Sequence, residues 1–272
     1  MRFAIIYSKA NEAGPLIVEE LKKLAFLPQV PIIEIPKKQV IFLQDINDKI
    51  YPELRDIEFL IFASTHRSVQ GNPSLSLHAP GNWRSADLGG ESGKICMTSC
   101  FVLKHLFQEL NKNAQLVPEV KEKYEVTLEV THHGPKTNIP CAFIELGSSE
   151  EYWKDSSAAK VLAKTIISLQ EFDPKSKKDV WRPCIAVGGP HYAPVFNKVQ
   201  LNSIYAVGHI VPQYALPLTE NMLIESEEKT KEQVHSVIID WKGCGKSAGR
   251  QNTVNVIEKQ GLKWLKTKQI EK

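Results

Sequence analysis

The 272-residue chain carries 34 Lys and Arg against 31 Asp and Glu, a net charge of +3, with 42% hydrophobic and 24% charged residues. That is globular composition in a chain long enough to bury roughly three quarters of its unfolded surface, and the charge is too weak to announce a nucleic-acid partner beyond a local basic patch. No run approaches the roughly 20 apolar residues that span a bilayer, MRFAIIYSKANEAG lacks the apolar core of a signal peptide, and five cysteines without a CxxC pair argue against a disulfide framework or a cysteine-rich zinc site, so a cytoplasmic protein without membrane or stable protein partners is expected.

In chain order, residues 2–8 (RFAIIYS) form a short apolar run of strand type, and residues 12–26 (EAGPLIVEELKKLAF) repeat apolar residues at helical spacing. Residues 58–64 (EFLIFAS) read as a buried strand and residues 98–110 (TSCFVLKHLFQEL) as an apolar helix. Residues 124–130 (YEVTLEV) alternate cleanly and residues 141–147 (CAFIELG) form another strand, a pair that suggests a hairpin around THHGPKTNIP. Residues 149–172 open with serine and acidic residues and continue amphipathically, as a capped helix does. Residues 173–179 (DPKSKKD) read as an exposed connector, and three more strands are expected at 182–189, 203–210 and 234–240. Strands alternating with helices predict an α/β fold: a central mixed, largely parallel sheet with helices on both faces, in one domain over residues 1–272. Ligands of such sheets gather beyond the carboxyl ends of the strands.

The histidines follow that map. His66, His132, His133, His191 and His209 fall at apparent strand ends, and His78 lies in the punctuated stretch SLHAPGNW, whereas His105 in an apolar helix and His235 at a strand start read as structural. In EVTHHGP, strand alternation would point His132 and His133 apart, but Gly134 and Pro135 stop the strand, so either both rings reach one cleft or one is a surface and the other a hydrogen-bonded core histidine. His132 shares the parity of Val126, Leu128 and Val130; His133 depends on the turn. Neutral imidazole is both a common metal ligand and a base titrating near physiological pH, so a shared cleft implies metal-assisted hydrolysis or general-base catalysis. Glu145, in the apolar strand FIEL, is either a buried carboxylate in need of a metal or imidazole partner or a residue of the solvent face.

Two loops add to this. In GGPHYAP, Gly188 and Gly189 allow close backbone approach to a ligand while the flanking prolines stiffen the presentation of His191 and Tyr192. The stretch VHSVIIDWKGCGKSAGRQN reads as strand, basic loop and helix. It is not a nucleotide-binding P-loop, because Asp240 stands where the leading glycine belongs. Amides at the helix start, with Lys242, Lys246, Ser247 and Arg250, either hold a phosphate of a larger ligand or form a solvated turn.

Taken in order, LHAPGNW, THHGP, GGPHYAP and GHIVP resemble the archaeal and plant type of D-aminoacyl-tRNA deacylase, and the likeness runs from MRFAIIYS to VHSVIIDWKG. The resemblance implies hydrolysis of the ester joining a D-amino acid to the terminal ribose of tRNA, zinc (Zn2+) as the metal, and a sheet like that of peptidyl-tRNA hydrolases and zinc exopeptidases. At the matching motif positions it points to His78, His132, His133, His191 and His209. Metal ligands are accordingly expected among His132, His133, His191 and His209, and catalytic groups among His132, His133 and Glu145. Substrate contacts are expected from His78, Gly188, Gly189, Tyr192, Lys242, Lys246 and Arg250. Ala79 departs from the pattern, where a hydroxyl residue is expected, and weakens any role for that side chain. The alternatives are a tRNA- or phosphate-binding module without catalysis, which has no reason to retain metal, and a metal-dependent peptidase or amidase on a similar sheet.

Overall fold

The computed structural model describes residues 1–24 and 30–270. The chain opens with β1 (Phe3–Ser8), α1 (Ala13–Lys23), β2 (Ile32–Ile35), β3 (Phe59–Thr65) and β4 (Ser74–His78). It continues through α2 (Cys100–Gln115), α3 (Pro118–Lys123), β5 (Glu125–Leu128), β6 (Cys141–Gly147) and α4 (Ser156–Ile167). The remainder is β7 (Arg182–Val187), α5 (Pro194–Asn202), β8 (Tyr205–Val211), α6 (Glu220–Glu228), β9 (Ser236–Ile239), α7 (Ser247–Lys259), β10 (Lys263–Lys266) and α8 (Thr267–Ile270). The last two residues of the helix expected at 12–26 lie outside the described residues.

These strands divide into two sheets. The first is mixed, in the order β2-β1-β3-β6-β4-β5, and the second is parallel, in the order β10-β9-β7-β8. Within the first, β2, β1, β3 and β6 run parallel, while β4 is antiparallel to β6 and parallel to β5. The expected hairpin between residues 124–130 and 141–147 therefore does not form, because β4 intervenes. The connection after β5 is instead drawn to the second sheet, where Thr131 N–H donates to Ile210 O at 3.1 Å. The short alternating stretch of β4 gave no strong sequence signal, having only two apolar residues.

Side-chain alternation decides what each face of the first sheet meets. One face presents Phe3, Ile5, Ile61, Leu75, Leu77, Ile144 and Leu146, which pack with α1, α2 and α4 in one core. Each fully buried aliphatic or aromatic side chain there contributes about 1.5–3 kcal/mol. The apolar part of the opposite face, with Ala4, Ile6, Leu60, Phe62 and Phe143, is covered not by helices but by the irregular segment carrying Val40, Leu43, Ile46 and Leu54. Helices on both faces thus describe the second sheet, with α2 and α5 on one side and α6 and α7 packed through the core of Ile185, Val187, Val237 and Ile239 on the other.

Helix ends follow side-chain capping. Ser99 Oγ accepts the Val102 N–H at 3.2 Å and starts α2. Asp155 accepts the Ala158 N–H at 3.1 Å, so α4 begins at Ser156 rather than at Ser149, and the residues before it form a 3₁₀ turn. Gly81, just after β4, fixes the histidine segment: its N–H donates to the carbonyls of His132 and His133 at 3.1 and 2.7 Å. Its φ is +145°, and a Cβ there would lie 2.3 Å from the Ile95 Cα. Gly81→Ala is expected to destabilise the fold by about 2–4 kcal/mol, measured as a fall in the denaturation midpoint.

Candidate active site

The face of the first sheet left uncovered by the irregular segment is polar. Alternation places Ser64 and His66 from β3 and its exit, Ser76 and His78 from β4, Thr127 and Glu129 from β5 and its exit, and Glu145 from β6 on that one side, all nine-tenths or more buried. The cleft therefore lies on the sheet face where β4 and β6 run antiparallel, not simply beyond one set of strand ends. The second sheet closes it, since the exit of β7 pairs Tyr192 with Glu129 and lets Val130 N–H donate to His191 O at 3.1 Å.

Glu129 sits at the centre. Its Oε1 lies 3.1 Å from His66 Nδ1, and its Oε2 lies 2.8 Å from His191 Nε2 and 3.5 Å from His132 Nε2. Yet neither oxygen accepts a well-aligned hydrogen bond. Glu145 Oε2 lies 3.5 Å from His66 Nδ1 and 3.8 Å from His78 Nε2, which answers the question left open for Glu145 in favour of a buried carboxylate among imidazoles. Burial by itself would raise both carboxyls; for Glu129 the charge of His66 and the nearness of His191, and for Glu145 the nearness of His66 and His78, hold them well below the usual range. His66 answers in kind: against burial, the charge of Glu129 and then Glu145 raise it to about 9.

The other imidazoles are poised differently. His132 and His133 donate Nδ1–H to Val130 O and Gly134 O at 2.8 and 2.6 Å, and His78 Nδ1 faces Ala79 O at 3.2 Å. Each ring so anchored presents its Nε2 lone pair to the cluster, the tautomer a metal ligand needs. Burial, with the neighbouring His78, lowers His133 to about 4 and His132 well below the usual imidazole range. The strand ends before these residues, and His133 adopts a positive φ of 44°, which turns both rings inward as the Gly-Pro stop suggested. The ring of His78 lies 4.2 Å from that of His132 and 4.9 Å from that of His133.

Three groups of potential ligand atoms fall within 4.8 Å of one another: His78, His132 and His133; His66, Glu129 and His191; and His78, Glu129 and Glu145. An ionised carboxylate buried without aligned donors, beside imidazole lone pairs, is what a cation would satisfy, so these residues fit a metal. His66 and Glu129 were absent from the expected ligands. The alternation of YEVTLEV placed Glu129 on the polar side of a strand, and only the packing of the second sheet over that side buries it.

Other expected site residues behave otherwise. His209 stays outside the cluster: its Nδ1 pairs with Thr131 Oγ1 and its Nε2 with Lys229 O, both at 3.2 Å, so it braces the segment before His132 instead of offering a ligand atom. His78 is fully enclosed and belongs to the cluster, not to a substrate-facing wall. Tyr192 hydroxyl is hydrogen-bonded to His66 Nε2 at 2.9 Å and orients that ring. The space beside Gly188 and Gly189 is filled by the chain's own basic loop: a Cβ on Gly188 would meet Asp240 O at 2.9 Å, and one on Gly243 would meet Gly189 N at 2.3 Å. Lys242 and Lys246 are exposed on that loop, while Arg250 donates Nε–H to Trp241 O at 2.8 Å and holds the loop together. Ala79 points its methyl into the helix-packed core, so the missing hydroxyl faces away from the cleft.

Fold and cluster together make this an α/β protein with a buried histidine–carboxylate centre. The profile of the D-aminoacyl-tRNA deacylase family matches residues 53–265. D-aminoacyl-tRNA deacylases of Thermococcus kodakarensis, 37% identical over 77% of this chain and 74% of that one, and of Picrophilus torridus, 32% identical over 96% and 98%, align with it. A crystal structure of a conserved protein of unknown function, AF0625, superposes with a TM-score of 0.87 at 29% identity, covering 99% of this chain and 96% of that one. The chain belongs to the D-aminoacyl-tRNA deacylase family.

In chelator-treated protein, Glu129→Gln is expected to bring the His66 titration down from about 9 toward the ordinary imidazole value, read from its ring-proton NMR signals. Because the folded value lies above the unfolded 6.5, the stabilisation from His66 is complete below pH 6.5 and lost as pH rises through about 9. The fall in melting temperature of the chelated protein across that window should therefore shrink in the variant.

Proposed function

We propose that the chain hydrolyses the ester of D-aminoacyl-tRNA, releasing the free D-amino acid and tRNA, and so proofreads chirality in translation, with zinc held in the cluster. The substrate puts this work in the cytoplasm. One observation carries the reading: a buried carboxylate without aligned donors, Glu129, surrounded by imidazoles whose outer nitrogens are anchored and whose inner ones converge. Two sets of residues would hold metal, His66 with Glu129 and His191, and His78 with His132 and His133. A histidine-rich set with one carboxylate suits zinc better than magnesium. Zinc bound there supplies Lewis acidity toward the ester carbonyl and makes water acidic enough to attack near neutral pH.

The protein's own groups do the rest. A cluster imidazole not engaged by metal is placed to take the proton released by the attacking water and pass it to the ribose oxygen that leaves, while Glu145 Oε2 lies between the His66 and His78 rings and orients them. The cleft walls of Val40, Ile41, Leu88 and Trp153 restrict water and orient the ester, which matters because aminoacyl esters are already labile and chiefly need positioning. Exposed Lys242 and Lys246, at the start of α7, meet the RNA phosphates, where the helix has no side-chain cap of its own. Neither the binding-module nor the peptidase alternative has an observation of its own in its favour.

Purified protein is expected to retain zinc by elemental analysis and to lose D-aminoacyl-tRNA hydrolysis on chelation, with L-aminoacyl-tRNA a poor substrate throughout. Full activity in metal-free protein would remove zinc from the mechanism without touching the substrate assignment. His132→Ala and His133→Ala should each lower the single-turnover rate by roughly a hundredfold or more with little change in melting temperature. Replacing Lys242 and Lys246 by glutamine should weaken tRNA binding and flatten its dependence on salt, measured by equilibrium binding across a salt series.

A further inference from the structure

The histidine cluster opens to two cavities, not one. A cavity of about 590 Å³ lies toward the first sheet, and another of about 490 Å³ lies toward the second; His132, His133, His191 and Leu88 line both. The reacting centre is therefore a waist with a chamber on each side, and the scissile ester has two unlike halves, an amino acid and a nucleoside. We propose that the second cavity receives the 3′-terminal nucleoside, with its base stacked on Tyr214, and that the first receives the D-amino acid. This assignment rests on the deacylase reading above.

The two chambers differ in the way the two halves require. Tyr214, on the 3₁₀ turn Gln213–Ala215 that follows β8, is 62% exposed and lines the second cavity. An aromatic ring held at a lip in contact with water is a platform for a base, since every base offers a π-face. The ring is held on a supported turn: Arg84 donates to Ala215 O at 3.2 and 2.8 Å, and Gln213 N–H donates to Gly189 O at 2.9 Å. Gly189 is also where the Asp240–Gly243 loop rests, so the exposed Lys242 and Lys246 follow on from this side of the site, where the phosphates leading to a terminal nucleoside would run. On the cavity wall, Ser85 Oγ donates to Asp87 Oδ2 at 2.8 Å, and this exposed pair offers acceptors for ribose hydroxyls or an exocyclic amine. The first cavity has a different chemistry. Val40, Ile41, Val69 and Trp153 line it and suit an amino-acid side chain, and beside them stand Glu145, His66, Arg67 and Glu12, the last paired with Lys154 at 3.4 Å.

A binding cycle with uncharged tRNA tests the assignment without turnover. Intact tRNA and tRNA trimmed of its 3′-terminal adenosine are titrated against wild type, Tyr214→Ala and Tyr214→Phe, with thermal melts confirming that each variant is folded. In wild type and Tyr214→Phe, removal of the adenosine should weaken binding about tenfold, as expected for one stacked base. In Tyr214→Ala the two RNAs should bind alike. If trimming weakens Tyr214→Ala as much as wild type, or does not weaken wild type, the nucleoside does not lie on Tyr214 and the assignment falls. The deacylase reading fails by a separate result, absence of D-aminoacyl-tRNA hydrolysis by wild type, which this cycle neither needs nor produces.

Discussion

The carboxylate of Glu129 is the constraint on which the rest of the site depends. It lies 1% exposed among His66, His132 and His191, ionised in surroundings that disfavour charge and without aligned donors. Such a group is tolerated only where opposite charge is brought to it, by a protonated imidazole or a cation. Protonated His66 supplies the first when no cation is bound, and the convergent nitrogens of the rings, His66 Nδ1 among them, are suited to the second. Two buried carboxylates and five imidazoles in one cluster would be a poor core; they are a coherent reactive centre.

Alternation along four strands makes this possible. Every second residue of β3, β4, β5 and β6 enters the helix-packed core, and Leu60, Phe62 and Phe143 enter a smaller core on the opposite face, so the polar residues beside them have fixed positions there without having to stabilise the sheet. The second sheet then performs two tasks at once. Its β7 exit delivers His191 and Tyr192 onto Glu129 and His66, and its β8 strand, through His209 and Ile210, clamps Thr131 just before the paired histidines. His209 lies in a motif shared by the resemblance yet acts as a strut, with both ring nitrogens already engaged.

A waist flanked by two chambers is a natural form for an enzyme whose substrate is a small acyl group attached to a very large RNA. The reacting bond must reach a buried centre while most of the substrate remains outside, and the exposed basic loop beside Gly188 and Gly189 lies on the side with room for it. The same arrangement separates recognition of the acyl stereocentre from recognition of the RNA end, so that a change in one chamber need not disturb the other.

The sequence by itself determined the α/β character, most strand positions, and the inward turn of His132 and His133, because apolar periodicity and a Gly-Pro stop are local properties of the chain. It also marked His191, and it left Glu145 between a buried carboxylate in need of partners and a residue of the solvent face. The order of the strands was not legible: β4, with two apolar residues, was invisible as a strand, yet its insertion between β5 and β6 abolished the expected hairpin. His66 was marked as a strand-end histidine, but its pairing with Glu129 was not readable, nor was the burial of Glu129 or the exclusion of His209. All three turn on which surface covers which, and that is settled by contacts between residues far apart in the chain: Glu129 becomes a buried anion only when the β7 exit closes over it, and His209 loses its free nitrogens only when Thr131 and Lys229 come to meet it.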